Sequence, residues 1–149
     1  MAQSTNLLSS GSFSIRRKRK CGSTQIRTAP YPEFPTDLHP LFTVLLSRAK
    51  GVSFIDEAIF EHRFRYLEGL SLFGVDTELR DGILLINGGT SLSPALAYCT
   101  DLRGGAALIS AALCANGRSC IGNVHYVQRG YEDMPKKLSL LGAEIEECE

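Results

Sequence analysis

Thr36-Asp37-Leu38 and Thr100-Asp101-Leu102 are one tripeptide used twice, and the same plan follows each copy. An apolar helical stretch comes first and ends at Gly51 in one copy and Gly117 in the other. A short apolar segment follows, then an arginine, Arg63 or Arg129, then a second helical stretch. The second stretch closes as Leu72-Phe73-Gly74 in the first copy and Leu140-Leu141-Gly142 in the second. The spacing between copies lengthens along the chain, as small insertions would cause. A repeat of this length is a supersecondary unit used twice. Strands alternating with helices inside it predict an α/β fold of two β-α-β-α-β(β) units.

Working outward, residues 12–20 and 24–28 read as strands about the turn at Cys21-Gly22-Ser23. Three prolines in 30–35 predict an extended, stiff segment. Thr36 or Asp37 is then expected to cap a helix. Its apolar positions Leu38, Leu41, Phe42, Leu45, Leu46 and Ala49 recur at helical spacing, with Pro40 in the first turn. A strand over 52–55, a helix over 65–73 and a hairpin of 76–80 with 83–86 about Asp81-Gly82 complete the first copy. The second copy is expected to hold a strand over 95–99, a helix over 104–116, a strand over 119–124, a helix over 131–141 and a strand over 144–148. From Gly104 to Asn116 no residue is charged. A helix apolar on all sides belongs in an interior, so this one is expected to be the most buried.

The chain has 149 residues, enough for one domain with a core, and is 44% hydrophobic and 21% charged, as globular proteins are. Its formal net charge is zero, but six of the 16 basic residues fall in 1–32, where no acid occurs. The run Arg16-Arg17-Lys18-Arg19-Lys20 would attract phosphates, and a nucleic-acid arm is one reading of it. Beside a turn, at strand spacing, a solvated basic strand is the preferred one. No apolar run is long enough to span a membrane, and residues 1–10 make a poor secretory signal. The five cysteines lack Cys-x-x-Cys spacing, and His39, His62 and His125 lack ligand spacing, so no metal is expected. Reduced, buried thiols in a cytoplasmic protein are the expected reading. The histidines read as loop or core residues.

Five residues stand out for chemistry. Asp37 and Asp101 start equivalent helices; each is either a helix cap or a carboxylate that orients a hydroxyl and takes its proton. Arg129, before Gly130, is either a surface arginine paired with Glu132 or Asp133 or a mobile fork for a carboxylate or phosphate. Arg63 is its counterpart in the first copy, either part of the same cleft or a solvated loop arginine. Arg103, two residues after Asp101, either pairs with that carboxylate or contacts an anion.

Five motifs in order carry a resemblance: Ala29-Pro30-Tyr31-Pro32-Glu33-Phe34-Pro35-Thr36-Asp37, Phe60-Glu61-His62-Arg63-Phe64, Thr100-Asp101-Leu102-Arg103, Arg129-Gly130-Tyr131-Glu132 and Leu140-Leu141-Gly142-Ala143. From about residue 27 onward the chain resembles the C-terminal portion of the UDP-N-acetylglucosamine 1-carboxyvinyltransferase family, within the EPSP synthase-like enolpyruvyl transferases. The resemblance implies a partial inside-out α/β barrel, with residues 1–26 as a tail and first strand and 27–149 as the family domain. It implies transfer of enolpyruvate from phosphoenolpyruvate to the 3′-hydroxyl of UDP-N-acetylglucosamine, in the cytoplasm, for peptidoglycan precursors, with no cofactor. It implies that Asp37 is the candidate base on the sugar hydroxyl and that the Ile59 carbonyl contacts the UDP-sugar. By the same resemblance Asp101 lies beside the tetrahedral intermediate, Arg129 closes over phosphoenolpyruvate, and Arg63 and Arg103 bind substrate. The family's catalytic cysteine, its Lys-Asn pair and its other phosphate-binding arginines have no counterpart here. The chain is therefore expected to be inactive alone, one wall of a cleft whose other wall is an N-terminal half. A shikimate-pathway enolpyruvyl transferase fragment and a non-catalytic binding module are the alternatives.

Overall fold

The computed structural model describes residues 21–147. Its first half is a four-stranded sheet with helices on one side. β1 (Gln25–Arg27) crosses over through α1 (His39–Ser47) to pair in parallel with β2 (Val52–Asp56). α2 (Tyr66–Leu72) follows, and then the hairpin of β3 (Asp76–Arg80) and β4 (Ile83–Asn87), giving the order β1-β2-β4-β3. The hairpin turns on Asp81 and Gly82 with φ of 50° and 79°. Both turn residues have positive φ, the conformation a two-residue hairpin favours and the reason an Asp-Gly pair signals one.

The second half repeats the opening of the first. β5 (Leu96–Tyr98) crosses over through α3 (Leu102–Cys114) to pair in parallel with β6 (Cys120–Gly122). Two short helices follow, α4 (His125–Gln128) and α5 (Met134–Leu140). The expected helix over 131–141 thus begins at Met134, after Asp133 in a left-handed conformation, with Pro135 in its first turn. No strand forms over 144–147, where one was expected. The expected strand over 12–20, with its basic run, lies outside the described residues.

α1 joins the two halves. Its Leu46 packs with Ile55, Leu84 and Ile86 of the sheet, and its Val44 packs with Ala107, Leu108 and Ala111 of α3. Because both sides are covered, the buried set differs from the apolar stripe read in the sequence. Leu46 and Ala49 are buried, but Leu38 and Leu45 are exposed, whereas the polar His39, Thr43 and Ser47 are fully buried. The hydroxyls are satisfied inside the helix: Thr43 donates to the His39 carbonyl and Ser47 to the Val44 carbonyl. A polar side chain with an internal partner can be buried at little cost, and hydrophobic periodicity does not register it.

α3 is less buried than its composition predicts. Residues 104–108 and Ala111 are covered, but Leu113 and Cys114 face solvent. Its glycines let neighbours approach. A Cβ on Gly105 would lie 2.9 Å from the Cys99 Sγ and also meet Val127 of α4. The loop over 29–34 is also not extended: the Ala29 amide donates to the Phe34 carbonyl and the Glu33 amide to the Pro30 carbonyl, closing it on itself. Of the thiols, Cys99 is buried, but Cys114 and Cys120 are exposed, against the expectation of burial.

Gly105→Ala should destabilise the chain. Overpacking costs about 1–3 kcal/mol, and the helix propensity gained returns about 1 kcal/mol at most. Urea unfolding checks this, and a raised midpoint would contradict the close approach. Leu140 and Leu141 are 79% and 85% exposed, and Leu38, Leu45 and Leu113 also face water. The isolated chain should therefore bind a hydrophobic dye and self-associate on sizing; a dye-silent monomer would refute that.

Candidate functional site

Asp37 lies in a single 3-10 turn over Thr36–Leu38, just before α1. It caps nothing. The turn and α1 both begin without a side-chain cap, so neither Thr36 nor Asp37 does the capping expected of them. Instead both carboxylate oxygens of Asp37 accept from arginines. Arg63 donates through Nη2 to Oδ1 at 2.6 Å, and Arg103 donates through Nη2 to Oδ2 at 2.7 Å. The hydrogen bond from Arg103, with the charges of Arg103 and Arg63, holds the Asp37 carboxyl below its usual value despite the opposing effect of burial.

Asp101 has the other of its two possible roles. It is the N-cap of α3, where its Oδ1 accepts from the Arg103 and Gly104 amides at 2.9 and 2.8 Å. Capping Asp101 at the start of the helix aims the Arg103 side chain away from it and across to Asp37. The repeat thus brings both aspartates to one place while giving them different work. Arg63, Arg103, Asp37 and Asp101 form one cluster.

The loop of Arg129 adjoins the cluster without entering it. Arg129 follows α4, and its guanidinium stacks over the Tyr126 ring at 5.3 Å, with no ion pair among the described residues. Tyr131 is near enough to Arg103 to influence its charge. Gly130 does not serve as a hinge of positive φ; a Cβ there would lie 2.6 Å from Leu102, so its role is close packing against α3. Residues 128–136 of this loop and Glu147 line an open concave surface.

Beneath Asp37 lies a polar network that sequence reasoning did not find. Glu57, directly after β2, is buried, and its Oε1 accepts from the Ile59 and Phe60 amides at 2.9 and 3.0 Å. Its Oε2 accepts from the Thr36 hydroxyl at 2.8 Å, and the Thr36 Oγ1 accepts in turn from Arg63 Nη1 at 2.9 Å. Burial pushes the Glu57 carboxyl up, but the bonds from Thr36, Phe60 and Ile59 outweigh it, and the group is held ionised. His39 Nε2 faces Glu57 Oε2 at 3.5 Å, and its Nδ1 lies 3.0 Å from the Tyr66 hydroxyl, which also meets Thr43. Burial lowers the His39 pKa to about 4, against the pull of the Glu57 charge. His39 is thus a core histidine, as expected, but one joined to the site. Pairing in space between 36, 39 and 57 leaves no local signature, which is why Glu57 was not legible.

Among the described residues no cluster of His, Cys, Asp and Glu could hold a metal, and no helix is long and apolar enough to cross a membrane.

Known proteins match this chain in sequence and in fold. A family model described as EPSP synthase (3-phosphoshikimate 1-carboxyvinyltransferase) matches residues 5–138. The chain belongs to this enolpyruvyl transferase family. It is 44% identical over 131 residues to UDP-N-acetylglucosamine 1-carboxyvinyltransferase 3 of Caldanaerobacter subterraneus subsp. tengcongensis, covering 88% of this chain and 31% of that one. With UDP-N-acetylglucosamine 1-carboxyvinyltransferase of Gloeobacter violaceus it shares 38% identity over 146 residues, 98% of this chain and 32% of the relative. It thus spans about a third of the length of the curated relatives it matches. Among solved structures, the enolpyruvyl transferase NikO from Streptomyces tendae superposes with a TM-score of 0.79 at 32% identity, over 87% of this chain and 30% of that one. EPSP synthase from Acinetobacter baumannii, at 21% identity and a TM-score of 0.50 over 58% of this chain and 21% of that one, shares the fold.

The His39 environment predicts a pH dependence. A histidine with a lowered folded pKa leaves the unfolded state binding more protons between about 4 and 6.5. Stability should therefore fall as pH drops through that window, by up to about 3 kcal/mol at its lower end. His39→Gln should flatten the dependence in a pH series of urea midpoints; an unchanged slope would show that another group titrates.

Proposed function

We propose that this chain forms the part of a UDP-N-acetylglucosamine 1-carboxyvinyltransferase cleft that holds both substrates and takes the proton from the sugar. The observation that carries this reading is Asp37 set between Arg63 and Arg103 at the start of α3. In this reading Asp37 accepts the proton of the 3′-hydroxyl of UDP-N-acetylglucosamine as its oxygen adds to phosphoenolpyruvate. The Ile59 carbonyl, on the segment that Glu57 holds, contacts the UDP-sugar. Arg63, Arg103 and Arg129 meet the carboxylate and phosphate of phosphoenolpyruvate, whose several negative charges need such donors. Asp101 lies beside the tetrahedral intermediate while keeping α3 capped. The domain over 27–149 is then two units of an inside-out α/β barrel. The reaction supplies peptidoglycan precursors in the cytoplasm, and an N-terminal half of the same enzyme is the expected partner.

Turnover also needs an acid that protonates the methylene carbon of phosphoenolpyruvate, and in this reading the cluster does not supply it, since its arginines keep their protons and Asp37 is held ionised. General acid catalysis contributes about 10²–10⁴-fold, and each lost anion donor about 10²–10³-fold. The chain alone is therefore proposed to bind substrate without releasing phosphate. The relatives at 38–44% identity bear the UDP-sugar name, which favours this substrate over shikimate 3-phosphate, the substrate class suggested by the family model's description.

Titration of UDP-N-acetylglucosamine into the 149-residue chain, followed by amide chemical shifts, tests the reading. Shifts should centre on residues 36–38 and 58–60, and Asp37→Ala should weaken binding about tenfold, the loss of roughly 1.4 kcal/mol. Phosphate release should be undetectable. Binding of shikimate 3-phosphate in place of the UDP-sugar, or turnover at an ordinary enzymatic rate, would overturn it.

A further inference from the structure

Asp37 has no free carboxylate oxygen. Oδ1 is held by Arg63 and Oδ2 by Arg103, and a carboxylate between two guanidiniums is a poor proton acceptor. Yet the groups that hold it are suited to larger anions. Arg103 makes no other side-chain hydrogen bond among the described residues, and Arg63 has only the Thr36 hydroxyl besides. The side chains are partly open, 47% for Asp37, 38% for Arg103 and 25% for Arg63, so a solute can reach the guanidiniums. The three groups together carry one net positive charge.

We infer that Asp37 stands in for an anionic ligand, holding Arg63 and Arg103 in place until a bound phosphate or carboxylate draws them away and leaves Asp37 free to accept a proton. The other charged groups around the cluster do not take over its part. Asp101 is occupied by the α3 amides, and Glu57 by Thr36 and the 59–60 amides. His39 is neutral at pH 7, and Tyr131 is the remaining ionisable neighbour of Arg103. A phosphate offers more oxygens and more charge than Asp37, and a guanidinium forks onto two of them at once. Once the arginines have moved, the hydroxyl O–H bond of the acceptor breaks, its proton passes to an Asp37 oxygen, and its electron pair stays on the hydroxyl oxygen as nucleophile. The device makes the base competent only when the anion is present. It rests on the functional reading above in taking a hydroxyl as the proton donor.

The test is a carbon-detected NMR titration of the Asp37 carboxyl in the 149-residue chain, with and without saturating inorganic phosphate, alongside the guanidinium signals of Arg63 and Arg103. Phosphate should weaken Asp37 as an acid by about tenfold or more and remove the arginine contacts to its carboxylate. Asp37→Asn should tighten phosphate binding about tenfold, because a resident competitor is lost. Three results would overturn the inference: no phosphate binding, an Asp37 titration that phosphate leaves unchanged, or arginine contacts that persist beside the bound anion. A parallel titration with UDP-N-acetylglucosamine separates the two readings. Failure of the UDP-sugar to bind, with the phosphate response intact, defeats the enzyme assignment and leaves the stand-in role of Asp37 established. The reverse outcome defeats the stand-in role alone.

Discussion

A charged carboxylate can be buried only where other groups replace the water it gives up, and Glu57 meets that requirement with bonds from two parts of the chain while a third packs against it. The Ile59 and Phe60 amides bond one oxygen, the Thr36 hydroxyl bonds the other, and His39 faces it from α1. Those three parts are the loop after β2, the turn before α1 and α1 itself. Tying them to one anion sets where Arg63 leaves the loop and where Asp37 leaves the turn. Removing the Glu57 charge would leave its donors buried and unpaired, a larger loss than the bonds themselves are worth.

The two Thr-Asp-Leu copies show how a repeat can build a site rather than merely duplicate one. In the second copy Asp101 caps α3 in the ordinary way, and the cap determines how Arg103 emerges. In the first copy, Pro35 and the 3-10 turn release Asp37 from capping, and its carboxylate crosses to the arginine of the other copy. Arg63 comes to the same carboxylate from its own copy.

Position within the fold explains why α1 and α3 differ from their sequence reading. Each crosses between parallel strands, but α1 has the sheet on one side and α3 on the other, whereas the face of α3 that carries Leu113 and Cys114 is uncovered among the described residues. Burial follows neighbours rather than composition. Charge-free residues at Leu113 and Cys114 are therefore exposed while Thr43, Ser47 and His39 are enclosed.

Local signals in the sequence determined most of the elements and the family. The Asp81-Gly82 turn, the strand over 52–55, the crossover helices and the five ordered motifs were all legible, because turn conformation, side-chain alternation and motif spacing act over a few residues. So were Asp37, Asp101, Arg63 and Arg103 as residues of interest. Tertiary structure decided what each one does. It chose capping for Asp101 and arginine pairing for Asp37, stacked Arg129 on Tyr126, closed the proline loop on itself, and assembled Glu57, His39, Thr43 and Tyr66 into the support beneath the cluster. These outcomes depend on contacts between residues far apart in the chain. Hydrogen bonding and desolvation act through space, and a linear pattern does not contain the distances that set them.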